Sequence, residues 1–160
     1  MTKASNFSVI LLFTTCMLFF FSCKKPDERI KINPIVKPGI PIMDYDSNIY
    51  PTIQIGQQIW MQQNLRTTRF ANGLPISGIW VYAFDTAAVE EYGLLYSWTS
   101  AVDTCSICPH GWHLPSEHEF NVLVEYLGGV KLAGGYMKEK GLDHWEGPNN
   151  GANNESKWNG

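Results

Sequence analysis

The sequence predicts a domain that mixes strands with helix, and three stretches carry that expectation. Residues 52–61 alternate apolar and polar side chains around a Gly56-Gln57 break, the pattern of two short strands joined as a hairpin. Residues 117–127 set Phe120, Leu123, Val124 and Leu127 at the i, i+3, i+4, i+7 spacing of one buried helical face. From Gly141 onward the chain is rich in Gly, Asn and Pro with isolated Trp, which is loop composition. The chain has 160 residues, and at ~150 residues per domain that allows one globular domain and little else. It is 44% hydrophobic and 17% charged, which suits a packed core and not a disordered chain. A net charge of −3 argues against nucleic-acid binding, which needs a basic stripe.

The N-terminus reads as a targeting segment. Lys3 is the only charge before Lys24, and residues 9–21 between them form an apolar run broken only by Thr14 and Thr15. That length falls within the ~7–15 residues of a signal peptide core and short of the ~20 that a spanning helix needs. Phe20-Phe21-Ser22-Cys23 resembles a bacterial lipobox: bulky at −3, small at −1, cysteine at the new N-terminus. The resemblance implies a diacylglycerol thioether on Cys23 and an acylated amine. Two or three acyl chains, each buried CH₂ contributing ~0.8 kcal/mol, hold stably where one holds reversibly. Residues 1–22 are therefore expected to be a lipoprotein signal peptide. Residues 23–42, with Pro34, Pro38 and Pro41, are expected to be an extended tether, because proline fixes φ and biases the preceding residue to extended geometry. Residues 43–160 are left for the globular part.

Within that part the elements follow in order. In the hairpin, Ile53 and Ile55 share a face before the turn, as do Ile59 and Met61 after it. A turn-rich stretch with Asn72-Gly73 and Leu74-Pro75 comes next. Residues 92–98 are apolar and aromatic and fit strand or helix. Ser116 is a good N-cap for the helix, and Glu119 completes a capping box. Pro115 and Phe120 occupy the staple positions, and Gly128-Gly129 closes the helix. A poorer second helix is expected over residues 136–140.

Six motifs occur in order: Asp44-x-Asp46-x-Asn48-x-Tyr50, Ile55-Gly56-x-Gln58-x-Trp60-Met61-x-x-Asn64-Leu65, Tyr92-Gly93-x-Leu95-Tyr96-x-Trp98, Cys108-Pro109-x-Gly111-Trp112-His113-Leu114-Pro115-Ser116, Leu127-Gly128-Gly129 and Trp145-x-x-Pro148-Asn149. Together, over roughly residues 43–158, they resemble the FISUMP domain, the Fibrobacter succinogenes major paralogous domain of secreted proteins and lipoproteins. The resemblance implies a C-type-lectin-like α+β fold, distantly related to formylglycine-generating enzymes, and no established activity to transfer. Family members continue past the region of Asn154-Glu155-Ser156 into a Gly- and aromatic-rich segment and terminal strands carrying a cysteine. The sequence given stops at Gly160, so the expectation is a domain incomplete at the C-terminus, with an unpaired sheet edge that invites association.

Candidate chemistry is sparse. Cys105 and Cys108 form a C-x-x-C pair, but Pro109 follows where haem attachment needs histidine. A zinc site would draw on these cysteines with His110, His113 or His118. A hydrogen-bonded turn role suits His113 better, and the redox reading lacks a βαβ context. A local disulfide or a free thiol remains for Cys105 and Cys108; family analogy adds a Cys108 partner in the segment beyond residue 160. Asp44-x-Asp46-x-Asn48 imitates the start of a calcium loop, but Ile49 and Ile55 stand where such a loop needs Gly and Glu, so a turn leading into a strand is expected. Glu146, Pro148, Asn149 and Trp158 superficially resemble lectin calcium motifs; Gly147 and Gly160 break them. The six tryptophans read mainly as core and loop anchors, with Trp145 and Trp158 the ones expected at the surface.

The function expected from all this is a membrane-anchored envelope or surface lipoprotein, placed at the bacterial outer membrane through Cys23. It carries a non-enzymatic binding module for a carbohydrate or protein ligand, with no cofactor, no metal and no nucleic-acid partner. The alternatives are a degenerate gene fragment without independent function, or an enzyme distantly related to formylglycine-generating enzymes. Those use a cysteine pair in the C-terminal part of the domain.

Overall fold

Four antiparallel strand pairings in three small sheets, with the two longest helices following them in the chain, make this an α+β domain. The structure, a computed structural model, describes residues 34–158. In chain order the elements are β1 (Val36–Pro38), β2 (Ile42–Met43), β3 (Ile49–Tyr50), β4 (Thr52–Ile55), β5 (Gln58–Met61), β6 (Ile79–Val81), α1 (Val89–Tyr92), β7 (Leu94–Tyr96), α2 (Trp98–Ala101), α3 (Glu117–Tyr126) and α4 (Ala133–Met137). The apolar run 9–21, the lipobox and Cys23 lie outside the described residues, as does the first part of the segment expected to be a tether. Among the described residues no helix is long and apolar enough to cross a membrane.

The largest sheet has the order β1-β4-β5. Its hairpin turns through Gly56 and Gln57, with Gly56 at φ +62°, where a Cβ would also strike the Tyr126 ring at 2.9 Å. The two-residue turn sets Ile55 opposite Gln58 and Ile53 opposite Trp60. The face that Ile53 and Ile55 share is therefore completed by Trp60, which is buried, and not by Ile59 and Met61. Those two do share a face, but it is the outer one, and Ile59 stands exposed.

β1 draws part of the expected tether into the fold. Val36 to Pro38 pair with Ile55 to Ile53, and Val36 packs on the core. The folded part thus begins before residue 43. The prolines keep this stretch extended, as expected, and extended backbone beside an open strand pairs with it.

The principal core joins this sheet to the helices: Ile53, Ile55 and Trp60 meet Leu123 and Leu127 of the α3 face and Ala133 and Tyr136 of α4. Helix α3 is built as its sequence demands. Ser116 Oγ accepts from the Glu119 N–H, and the Glu119 carboxylate accepts from the Ser116 N–H at 2.8 Å. At the other end Gly129 N–H reaches the Val124 carbonyl and Gly128 N–H that of Glu125, a Schellman closure with both glycines at positive φ. Phe120, expected on the buried face, is instead exposed at the helix edge. The second helix covers Ala133–Met137 and not 136–140, because Lys138 turns to extended geometry.

Residues 62–112 form a second lobe of structure around Phe70, Ile76 and Ile107. Residues 92–98 prove to be neither strand nor helix alone: α1 ends at Tyr92, β7 runs to Tyr96, and Ser97 caps α2 through the Ser100 N–H. Gly93, at φ +68°, permits the join, since a Cβ there would lie 2.7 Å from the Leu65 carbonyl. Residues 138–158 have no regular element but are tied down. Asn149 Nδ2 donates to the carbonyls of Glu139 and Gly141, and Ser156 N–H to that of Tyr136.

Candidate functional site

An open groove of about 590 Å³ runs beside β5, between that strand, the start of α3 and the loop 111–115. Its apolar surface comes from Trp60, Trp112, Phe120 and Trp158, and Gln57, Gln58, Gln63 and Asn64 supply its amides. Trp60 and Phe120 rings sit 5.3 Å apart in a tilted pair, and Trp158 meets Trp60 edge-on at 5.9 Å. The volume falls in the range of small-ligand and peptide sites.

Each wall is positioned by hydrogen bonds. Gln58 Nε2 donates to the Glu119 carbonyl at 2.9 Å, pinning β5 to α3. Glu119 Oε1 pairs with His113 Nε2 at 2.8 Å while its other oxygen accepts from Ser116, so the capping box also holds the loop 111–115 over the groove. The Ser116 N–H, its hydroxyl and His113 together hold the Glu119 carboxyl down at about 2. Trp158 closes the end of the groove, its indole N–H donating to the Met61 carbonyl at 2.8 Å. The indole Nε1 of Trp60, by contrast, is buried without a hydrogen-bond partner among the described residues.

The sequence-singled residues fall in and around this groove unevenly. His113 is the hydrogen-bonded loop residue expected of it. Cys108 lines the groove and also a smaller cavity of about 170 Å³ behind it, with Asp44, Thr67, Arg69 and His110. Among the described residues Cys105 and Cys108 have no disulfide partner; both are half-buried and pack on the second core. Burial pushes the Cys108 thiol up, against a smaller opposing effect of the Ser106 hydroxyl; an activated nucleophile needs the reverse. Among the described residues no three His, Cys, Asp or Glu side chains are grouped to hold a metal ion.

The Asp44 and Asp46 carboxylates serve the turn between β2 and β3 and the segment it touches. Asp44 accepts from the Asn48 amide and backbone and from the Tyr50 hydroxyl at 2.6 Å. Asp46 turns to the Thr68 N–H and hydroxyl and to Arg69. Burial works against its ionisation, but these donors prevail and hold its carboxyl at about 2.

Trp145 is exposed as expected, with Lys138 over its ring at 4.3 Å, but Trp158 is half-buried in the groove. The most exposed tryptophan is Trp98, at 75%. Trp60 and Phe120 were legible only as core positions. Their place at the groove follows from the hairpin register and from the helix edge, neither of which alternation alone fixes.

Compared with known families, residues 53–160 match the Fibrobacter succinogenes major domain. The chain belongs to that family. The match takes in the hairpin from Ile53 onward, the buried residues of both cores and every groove-lining residue named above, so the family assignment and the site concern the same fold. No curated protein and no solved structure matches the chain.

Proposed function

We propose that this member of the family is an envelope lipoprotein, anchored at the outer membrane through acylated Cys23, whose domain is a non-enzymatic binding module of C-type-lectin-like architecture. The ligand site is the groove beside β5. One observation carries the reading: four aromatic rings and a rim of neutral amides converge on one open groove. Its one carboxylate, Glu119, is already committed to Ser116 and His113. Apolar faces bordered by amides suit a neutral ligand that has both apolar surface and hydrogen-bonding groups, a carbohydrate or a polypeptide.

Two measurements test the two halves of the proposal. Fractionation of cells should find the full chain with the outer membrane and Cys23→Ala in the soluble fraction. Equal membrane retention of the variant would remove the anchor. Quenching of tryptophan emission should detect a ligand from a panel of oligosaccharides and peptides, and Trp112→Ala should weaken it about tenfold, roughly the loss of one aromatic contact. Binding that ignores this change places the ligand elsewhere.

A further inference from the structure

The strap that follows α4, residues 138–149, is tied to the body of the domain through one side chain. At its base Asn149 Nδ2 donates to the carbonyls of Glu139 and Gly141, so the residues between close on themselves as a loop. Gly141, Gly147 and Pro148 deny that loop a regular element. Among the described residues, the hydrogen bonds and ring contacts that run from 141–148 to anything before Lys138 are those of His144. Its Nε2 crosses to α1 and meets the Glu91 carboxylate, and its ring stands edge-on to Tyr92 at 6.1 Å. On the other side of the ring Nδ1 meets the Glu139 carboxylate at 2.5 Å.

Two carboxylates on one imidazole fix its protonation. A carboxylate only accepts, so both ring nitrogens must donate, and only the imidazolium carries two N–H groups. A neutral ring would set one lone pair against a carboxylate. The hydrogen bonds to Glu139 and Glu91 accordingly raise the His144 pKa above its ordinary 6.5, against a smaller opposing effect of burial. The other groups at the junction do not compete for the proton. Burial and the Glu91 charge push the Tyr92 hydroxyl up, so it stays protonated, and Tyr82 packs beyond it at 5.1 Å. Glu90, next along α1, pairs with Arg66 at 3.5 Å, and Lys138 lies over the Trp145 ring. Asp143 and Glu146, on the strap itself, form no ion pair with the imidazole among the described residues.

We infer that His144 is a proton-operated clasp, which as imidazolium pins the strap to α1 and on losing its proton lets the strap swing away. The Glu91 contact is the one that goes. Glu139 stands five residues from His144 at the base of the strap, whereas Glu91 stands 53 residues away. Holding the distant partner costs more chain entropy, so a ring with one N–H keeps the near one. Opening uncovers Tyr92 and carries Trp145 away from α1. The closed form binds the proton more tightly than the open one. Its added stability is therefore fully present below 6.5 and is lost as the pH rises through the raised value of the closed form.

The test uses the full chain. Deuterium exchange at the imidazole C2, followed by mass spectrometry across pH, should give His144 a midpoint above 6.5. Glu91→Gln and Glu139→Gln should each lower it; both side chains stand at the surface, so neither change touches a core. Amide exchange in residues 142–146, corrected for its intrinsic pH dependence, should quicken about threefold as the pH passes that midpoint, the scale of an exposed ion pair. In His144→Ala the same amides should exchange at the faster rate at every pH, and in Glu91→Gln the step should vanish. A midpoint at or below 6.5, or one that neither glutamine moves, overturns the inference. So does amide exchange without a step in the parent chain, which would mean that other contacts hold the strap. A step that survives in His144→Ala, or in Glu91→Gln, overturns it equally, since the proton would then act elsewhere.

Discussion

Around Leu123 and Leu127 the domain is held by apolar burial; around Phe70 and Ile107 it is held by hydrogen bonds to carboxylates and carbonyls. The first core draws seven buried residues from β4, β5, α3, α4 and their borders. The second has three, Phe70, Ile76 and Ile107, and partly buried neighbours. What it lacks in apolar area it makes up with polar ties: Tyr96 hydroxyl to the Thr67 carbonyl, Ser100 hydroxyl to the Ser77 carbonyl, and Asp46 to Thr67, Thr68 and Arg69. An irregular chain cannot satisfy its own backbone, so side chains must do so. It also leaves apolar side chains outside: Trp80 and Leu95, opposite one another on β6 and β7, are both exposed, as is Phe84.

That contrast predicts unequal costs. The largest belongs to the first core: Leu123→Ala, at a position with no exposure, should lose roughly 3–5 kcal/mol, and Ile76→Ala in the second core roughly 2–3. Urea unfolding of both variants measures the difference, and equal losses would erase the distinction between the cores.

A smaller effect is expected where the polar ties are concentrated. The buried Tyr50 hydroxyl donates to Asp44 and accepts the Arg66 N–H at 3.1 Å, with the Arg66 guanidinium 5.0 Å over the ring. Tyr50→Phe keeps the ring and its packing but leaves a carboxylate and an amide short of a partner, at a cost of ~1–3 kcal/mol. Urea midpoints of variant and parent give the value. A cost near zero would mean that packing alone holds this region.

The smallest effect is the response to acid. Asp46 is held at about 2 in the fold against an ordinary 3.8, so its contribution is fully present above 3.8 and is lost as the pH falls through about 2. Amide exchange at Thr68 and Arg69 should quicken across that window before the Leu123 core opens, and Asp46→Asn should remove the pH dependence of that step. Simultaneous exchange in both regions would show one cooperative unit.

Elements with local rules were legible in the sequence. The capping box at Ser116 and Glu119, the Gly128-Gly129 closure and the hairpin about Gly56 depend on residues within a turn or two of one another, and each formed where its pattern stood. The faces of β5 were not, because the placement of Trp60 inside and Ile59 outside is set by the partner strand across the turn. The strand at Val36–Pro38 was hidden for a similar reason: proline-rich sequence says extended, and only a waiting neighbour makes it a strand.

The groove belongs wholly to the tertiary structure. Trp112, His113 and Pro115 stand out in sequence as a motif, and Trp158 as a lone aromatic in polar surroundings. Nothing local says that β5 will lie beside them. Sequence alone determined which residues cap, turn and bury, since those depend on neighbours a few residues away. Contacts between residues as far apart as Met61 and Trp158 decided where the groove lies, because only folding brings β5 and its aromatic walls together.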